Sequence, residues 1–117
     1  MRIIVAGSRG FDDYSLLADT LDAVDFAVPR FLTVVSGGAR GADTLGERYS
    51  KENDYNLSIF LADWAKYGKS AGYRRNAEMA DYSDMLVAFW DGESKGTKHM
   101  IDLALKKGLL VKVVIYE

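Results

Sequence analysis

Three segments of this chain combine glycine with serine, arginine or aspartate directly behind a short apolar run. The fullest is Val34-Val35-Ser36-Gly37-Gly38-Ala39-Arg40-Gly41-Ala42-Asp43, where a helical pattern begins as the turn ends. Ala6-Gly7-Ser8-Arg9-Gly10-Phe11 and Trp90-Asp91-Gly92-Glu93-Ser94-Lys95-Gly96-Thr97 have the same layout. Glycines let a backbone approach an anion closely, and the free amides and positive dipole end of the next helix face its charge. Phosphate is the anion such turns suit. Gly37, Gly38 and Gly41 would equally serve a tight turn with close helix–strand packing. The spacing is neither the Gly-x-Gly-x-x-Gly of dinucleotide sites nor Walker A, which disfavours a standard Rossmann cofactor and a P-loop NTPase.

The side chains around these turns widen the chemistry. Arg9 offers a bidentate fork for phosphate or carboxylate and Ser8 a hydroxyl donor; the bland alternative is a surface arginine capping the Asp12/Asp13 turn. Asp43 opens a helix, where it either caps or reaches a ribose hydroxyl. Asp91 ends an apolar run and is either a turn former or a ligand contact. Gly96 and Thr97 resemble a second phosphate cradle. Arg74 and Arg75 are adjacent and cannot face the same way on a helix, so one is expected to point to the ligand, preferably Arg75. Trp64 and Trp90 are candidates to stack on a base, with core packing the alternative for Trp90. His99 is read as a solvated helix residue without a role, and Glu47 as a salt-bridge partner. No Cys/His pair exists, and a Ser/His/Asp triad would need His99 in an unsuitable place. Asp91 and Asp43 are the only weak catalytic candidates.

The elements that must position these residues alternate. Apolar runs at Arg2–Ala6, Leu32–Ser36, Leu57–Leu61, Met85–Trp90 and Leu110–Tyr116 are apolar on consecutive positions, as in strands buried on both faces of a parallel sheet. Helical patterns occupy 13–27 (Leu17, Leu21 and Val24 on one face), 42–53 (Ala42, Leu45, Tyr49), 72–82 (Tyr73, Ala77, Ala80) and 97–107 (Thr97, Ile101, Ala104, Leu105), the last stopped by Gly108. Strand alternating with helix implies right-handed crossovers. The expected fold is α/β: a Rossmann-like three-layer sandwich with a five-stranded, mainly parallel sheet. Its strand-to-helix turns lie at the carboxyl edge, where open α/β sheets bind ligands, so the glycine turns are expected to converge. The connection from Ala62 to Gly72 is unusually long and carries Trp64, Lys66, Tyr67 and Lys69; loops of this kind are often lids.

Composition excludes several classes. A length of 117 residues fits one domain, 1–117, and 49% hydrophobic with 27% charged residues fits a compact fold. A formal net charge of −2 argues against coating nucleic acid by bulk electrostatics. Without cysteine there are no disulfides or thiolate sites, and one histidine builds no metal site alone. No metal or cofactor is expected. A strand pattern directly after Met1 leaves no room for a signal peptide, and no apolar run approaches membrane-spanning length, so the expected location is the cytoplasm.

Taken in order, Gly7-Ser8-Arg9-Gly10-Phe11, Ser36-Gly37-Gly38-Ala39-Arg40-Gly41-Ala42-Asp43, Tyr73-Arg74-Arg75-Asn76-x-x-Met79, Asp84 before a strand, and Gly96-Thr97 opening a helix resemble the SLOG superfamily. This Rossmann-like group takes its name from the Smf/DprA proteins and the LOG phosphoribohydrolases. The match is strongest to its YspA/YpsA-related branch of small bacterial and phage proteins, and it runs through almost the whole chain. The resemblance implies a nucleotide or nucleotide-derived ligand across the glycine turns, often in a homodimer. It also implies cleavage of a nucleoside 5′-monophosphate's N-glycosidic bond in the LOG enzymes, whose arginine corresponds to Arg75. Their catalytic glutamate falls three residues after Thr97, at Met100, so that carboxylate is missing here.

The resulting expectation is a binding module, sensing or sequestering a nucleotide, with Gly7, Ser8, Arg9, Ser36, Gly37, Gly38, Gly41, Asp43, Trp64, Arg75, Asp91, Gly96 and Thr97 forming the site. Nucleotide hydrolysis is the alternative. Single-stranded DNA binding through Lys66, Lys69, Arg74 and Arg75 with Trp64, Tyr67 and Tyr73 is the weaker third. A homo-oligomer is expected and a membrane partner is not.

Overall fold

The computed structural model describes residues 1–27 and 32–116. Along the chain run β1 (Arg2–Gly7), α1 (Tyr14–Ala27), β2 (Thr33–Ser36), α2 (Ala42–Glu52), β3 (Asn56–Ile59), α3 (Trp64–Tyr67), a 3-10 turn (Gly68–Ser70), α4 (Ala71–Tyr82), β4 (Met85–Trp90), α5 (Lys95–Lys106) and β5 (Leu110–Ile115). The five strands form one sheet in the order β3-β2-β1-β4-β5, every pairing parallel. The fold is α/β and Rossmann-like.

Alternation along the central strands builds two cores. Ile3, Val5, Val34, Val87 and Phe89 project to one face, where Leu17, Leu21 and Val24 of α1 and Ala42 and Tyr49 of α2 cover them. Ile4, Ala6, Val35, Leu86 and Ala88 project to the other, beneath Met79 and Ala80 of α4 and Met100, Ile101 and Ala104 of α5. The ladder sets this register, with Ile4 opposite both Val35 and Leu86. Each large aliphatic side chain so buried is worth about 1.5–3 kcal/mol of transfer free energy, which is why the central strands carry no polar residue until their ends.

Local signals fix the helix ends. Asp13 accepts the Leu16 amide (3.0 Å) at the start of α1. Ser94 caps α5 by accepting from Thr97. At the other end of α5, Gly108 donates to Leu105 O (3.1 Å) and Leu109 to Ala104 O (3.0 Å), a Schellman closure. The cap places the start of α5 at Lys95, two residues before the expected start at Thr97.

Three expectations need correction. Strands β3 and β5 are not buried on both faces: as sheet edges they leave Ile59, Leu110, Val113 and Ile115 exposed. Tyr73 and Leu105 do not lie on the buried helix stripes; those comprise Ala71, Asn76, Met79 and Ala80 on α4, and Thr97, Met100, Ile101 and Ala104 on α5. Tyr73 sits in the first turns of α4, at the carboxyl edge of the sheet, where no strand lies beneath it. Leu105, 61% exposed, is eight positions from Thr97 and about 80° around the helix, past the margin of the stripe. The segment from Ala62 to Gly72 is not an irregular loop. Asp63 caps α3 by accepting the Lys66 amide (3.0 Å), and the 3-10 turn joins α3 to α4.

Candidate functional site

Parallel strands bring all their carboxyl ends to one edge. At β1 and β4 the following helices leave for opposite faces, α1 to one and α5 to the other, so the chain parts above these neighbouring strands. Open α/β sheets bind ligands at such a switch point. Here it opens a crevice of about 540 Å³, within the range of small-molecule sites.

The β1 turn forms its inner wall. Gly7 passes so close to β4 and α2 that a Cβ there would lie 2.4 Å from the Phe89 carbonyl oxygen and 2.8 Å from Ala42 Cβ. Ser8 is buried; its amide donates to Phe89 O (3.1 Å), and its hydroxyl accepts from the Asp91 amide (3.3 Å). This stitch leaves Arg9 exposed on the crevice rim. Arg9 does not cap the Asp12/Asp13 turn, a role Asp13 fills with its own carboxylate.

The β2 turn makes the second wall, and its amides are engaged from within. Asp43, only 6% exposed, accepts from Gly37 N (3.0 Å) and Ala39 N (3.3 Å), while Gly38 N donates to Ser36 Oγ (3.0 Å). Ser36 Oγ in turn donates to Glu47 (2.7 Å), so Glu47 steadies the turn by a hydrogen bond to Ser36 in place of the expected salt bridge. Ser36, Gly37, Gly38 and Gly41 thus stand behind the crevice surface, and Asp43 and Ala39 are what this turn presents to it. Gly41 has φ +81°, and a Cβ there would meet Ser8 O at 2.4 Å, so its backbone packs against the β1 turn.

Arg75 reaches this wall from α4. Its Nη1 donates to Gly37 O (2.7 Å) and its Nε to Asn76 Oδ1 (3.2 Å), leaving the guanidinium half-buried on the crevice. Arg74, as adjacency on a helix requires, faces away: it bonds Ser70 and lies over the Tyr67 ring at 4.4 Å. Lys66 also lies against Tyr67, at 5.1 Å. Of the expected basic–aromatic cluster, then, Lys69, Arg75, Trp64 and Tyr73 reach the crevice.

Electrostatics separates the carboxylates. Burial pushes Asp43 up from 3.8 to about 6, against the pull of the Ala39 amide, the Arg75 charge and the Gly37 amide. Burial likewise lowers Arg75, with Asp43 opposing and Arg9 reinforcing. Asp91 is exposed on the crevice rim and accepts from Glu93 N (2.9 Å) and Ser94 N (2.8 Å), which hold it below the ordinary carboxylate value.

Across from Asp43 lies the start of α5. Ser94, Gly96 and Thr97 line the crevice, Thr97 buried with its Oγ1 3.1 Å from Ser94 Oγ. At this helix start Ser94 N donates to Asp91, Thr97 N to Ser94 Oγ and Lys98 N to Ser94 O, which leaves the amides of Lys95 and Gly96 available to an anion. Met79 and Met100 form an apolar floor. Trp64 and Tyr73 stand on the remaining rim, whereas Trp90 packs with the core and donates Nε1 to Ser94 O (3.0 Å).

Some residues of this neighbourhood escape a reading from sequence. Asn76, Met79, Ser94 and Met100 line the crevice; each lies inside a segment or at a position that the sequence singles out, but none is among the expected site residues. His99 is not on a solvated face: it is half-buried, its ring tilted at 39° against Tyr73 with centroids 4.2 Å apart, and its Nδ1 lies 3.2 Å from Asn76 Nδ2. Because Asn76 spends its oxygen on Arg75, its amide nitrogen donates here, and His99 accepts through Nδ1 as the neutral ring. Desolvation lowers the histidine in the same sense. Among the described residues no cluster of His, Cys, Asp and Glu is arranged to hold a metal, and no helix is long and apolar enough to cross a membrane.

An all-parallel sheet in this order, with helices on both faces and a crevice at its switch point, defines the Rossmann-like α/β class. In fold the chain is similar to DNA processing protein A (DprA) from Streptococcus pneumoniae, with a TM-score of 0.76 at 17% identity over 99% of this chain and 50% of that one. It therefore spans about half of that structure. Residues 1–67 match the family model described as YAcAr: YspA, cpYpsA-related SLOG family. The chain is also 37% identical to the Gene 61 protein of Mycobacterium phage D29 over 116 residues, covering 94% of this chain and 93% of that protein. The chain belongs to the YspA, cpYpsA-related SLOG family.

Proposed function

We propose that the crevice binds a nucleotide or nucleotide-derived small molecule and that the protein senses or sequesters it. The observation that carries this reading is the seating of Arg75. A buried backbone carbonyl and Asn76 hold its guanidinium on the crevice surface, with Arg9 on the same rim and the first turn of α5 on the crevice too. Two arginine forks and helix-terminal amides converging on one space suit a phosphate. Because Asp43 engages the Gly37 and Ala39 amides, the phosphate sits toward Arg9, Arg75 and Gly96, and not inside the 37–41 turn. Asp43 and Asp91 are left to meet sugar hydroxyls. Family membership supports a nucleotide-related role. Thermal-shift screening against mononucleotides, ADP-ribose and cyclic dinucleotides tests it: a ligand of the native state raises the melting temperature, and Arg9→Ala diminishes the rise. No rise with any of them would sink the proposal.

One observation favours a second reading, nucleotide hydrolysis. Asp43 lines the crevice and titrates at about 6, in the range of a general acid or base at neutral pH. Release of base or phosphate that is lost in Asp43→Asn and kept in Glu47→Gln would establish it. Unchanged nucleotide after long incubation at high protein concentration argues for binding alone. We extend the proposal to self-association in the cytoplasm, which the exposed apolar residues of the β5 edge support; a monomer mass in light scattering would remove it.

A further inference from the structure

The rim formed by α3 and the start of α4 has a feature that phosphate chemistry does not use. Trp64 and Tyr73 both line the crevice while remaining 54% and 49% exposed. Two large rings sharing one crevice form a joint apolar surface, which single exposed side chains scattered over a protein do not. Both are held. Asp63 caps α3 through its side chain and fixes the turn that carries Trp64. Ser70 donates to Tyr67 O (3.0 Å) and accepts from Arg74 Nε (3.1 Å), fastening α3 to α4. Tyr73 is backed by His99 at 4.2 Å, and His99 is fixed by Asn76, the residue that also positions Arg75.

Gly72 completes the arrangement. It too lines the crevice, and a Cβ there would lie 3.3 Å from Trp64 Cη2 and 3.8 Å from Arg75 Nη2. The indole therefore lies against bare backbone, close to the guanidinium of Arg75. Any side chain at 72 would intrude between the aromatic rim and the cationic wall.

Resting on the nucleotide reading above, we infer that Trp64 and Tyr73, with Gly72 at their foot, form a stacking shelf for the heterocyclic base of a free nucleotide whose phosphate meets Arg75 and Arg9. The ligand class is accordingly one with a planar aromatic base, and a sugar phosphate lacking the base is a poor ligand. Rings offer a face to any base, so the shelf distinguishes base-bearing from base-less ligands more than it distinguishes one base from another.

The test compares the four ribonucleoside 5′-monophosphates with ribose 5-phosphate by calorimetric titration. Wild type prefers the nucleotides, and Trp64→Ala collapses that preference by about 5- to 150-fold, whereas Trp64→Phe keeps most of it. Gly72→Val erodes it as well. A Trp90→Phe protein, whose sole indole is Trp64, supplies an independent readout: nucleotides quench its emission and ribose 5-phosphate does not. If ribose 5-phosphate binds wild type as tightly as the nucleotides, or Trp64→Ala leaves the preference intact, the shelf is overturned while the phosphate seat stands. If neither class of probe binds wild type, the nucleotide reading falls and the shelf falls with it.

Discussion

The β2–α2 turn and the β4–α5 turn solve one problem with the same residue type and reach opposite electrostatic outcomes. Each wraps an aspartate so that two loop amides donate to it: Gly37 and Ala39 to Asp43, Glu93 and Ser94 to Asp91. Asp91 lies open to water, so the hydrogen bonds win and its carboxyl is held below the ordinary value. Asp43 is buried, so desolvation wins despite the same bonds and the nearby arginine, and its carboxyl rises to about 6. Hydrogen-bond geometry alone does not set the charge of a loop carboxylate; its depth decides. One turn is thus a stiff wall with a titratable group, the other an open mouth at a helix start.

The largest expected effect comes from the glycines of the two turns. Gly41 and Gly92 have nearly the same φ, +81° and +83°, but Gly41 is pressed on the Ser8 carbonyl while nothing lies within 4 Å of a Cβ at Gly92. Gly92→Ala therefore costs only the positive-φ penalty, about 1–2 kcal/mol. Gly41, with ψ −127°, lies outside the left-handed helical well, and Gly41→Ala costs more than about 3 kcal/mol as overpacking adds to that backbone strain. Chemical denaturation of the two variants measures this, and equal losses would break the comparison.

The pH response separates the aspartates next. Burial lets native Asp43 hold its proton more tightly than the unfolded chain does, so stability falls as pH rises from about 4 through about 6. The difference between 3.8 and about 6 corresponds to on the order of 3 kcal/mol. Between pH 4 and pH 7, Asp43→Asn should gain by roughly that amount relative to wild type. Asp91 has the opposite sign: its contribution is present above the unfolded value and is lost as pH falls through its lowered one, so Asp91→Asn loses ground as pH rises. Parallel pH profiles of both variants would refute the role assigned to burial.

Deletion of each carboxylate sharpens the contrast further. Asp43→Ala strips the buried Gly37 amide of its acceptor and should destabilise by about 1–3 kcal/mol. Asp91→Ala frees amides at an exposed turn where water replaces the lost acceptor, and the melting temperature should move less.

Much of this was legible in the residues. Alternating apolar runs and helical stripes specify the parallel sheet and its central strands, and the arginine pair predicts one inward and one outward guanidinium, realised by Arg75 and Arg74. The crevice itself was harder to read. Gly37, Gly38 and Gly41 advertise an anion cradle, but whether a ligand or an internal carboxylate fills it depends on the rotamer of Asp43, which spacing does not encode. Tyr73 and Asn76 sit in one helical window, and the periodicity that favours Tyr73 as core takes no account of where the sheet ends beneath α4. The edge strands β3 and β5 interrupt their apolar runs with Asn56, Ser58 and Lys112, a polar mark of an open face that becomes plain once the strand order puts them at the edges.

The central claim is that the open mouth, and not the wall that Asp43 already fills, receives the phosphate. Calorimetric titration of ribonucleoside 5′-monophosphates into wild type and Arg9→Ala tests it most directly. Arg9 is exposed on the rim, so its removal leaves the fold intact. The prediction is saturable binding by wild type and a loss of about 10- to 150-fold in the variant, the worth of one charge-assisted hydrogen bond. Equal affinities in the two proteins, or no binding by wild type at millimolar nucleotide, would contradict it.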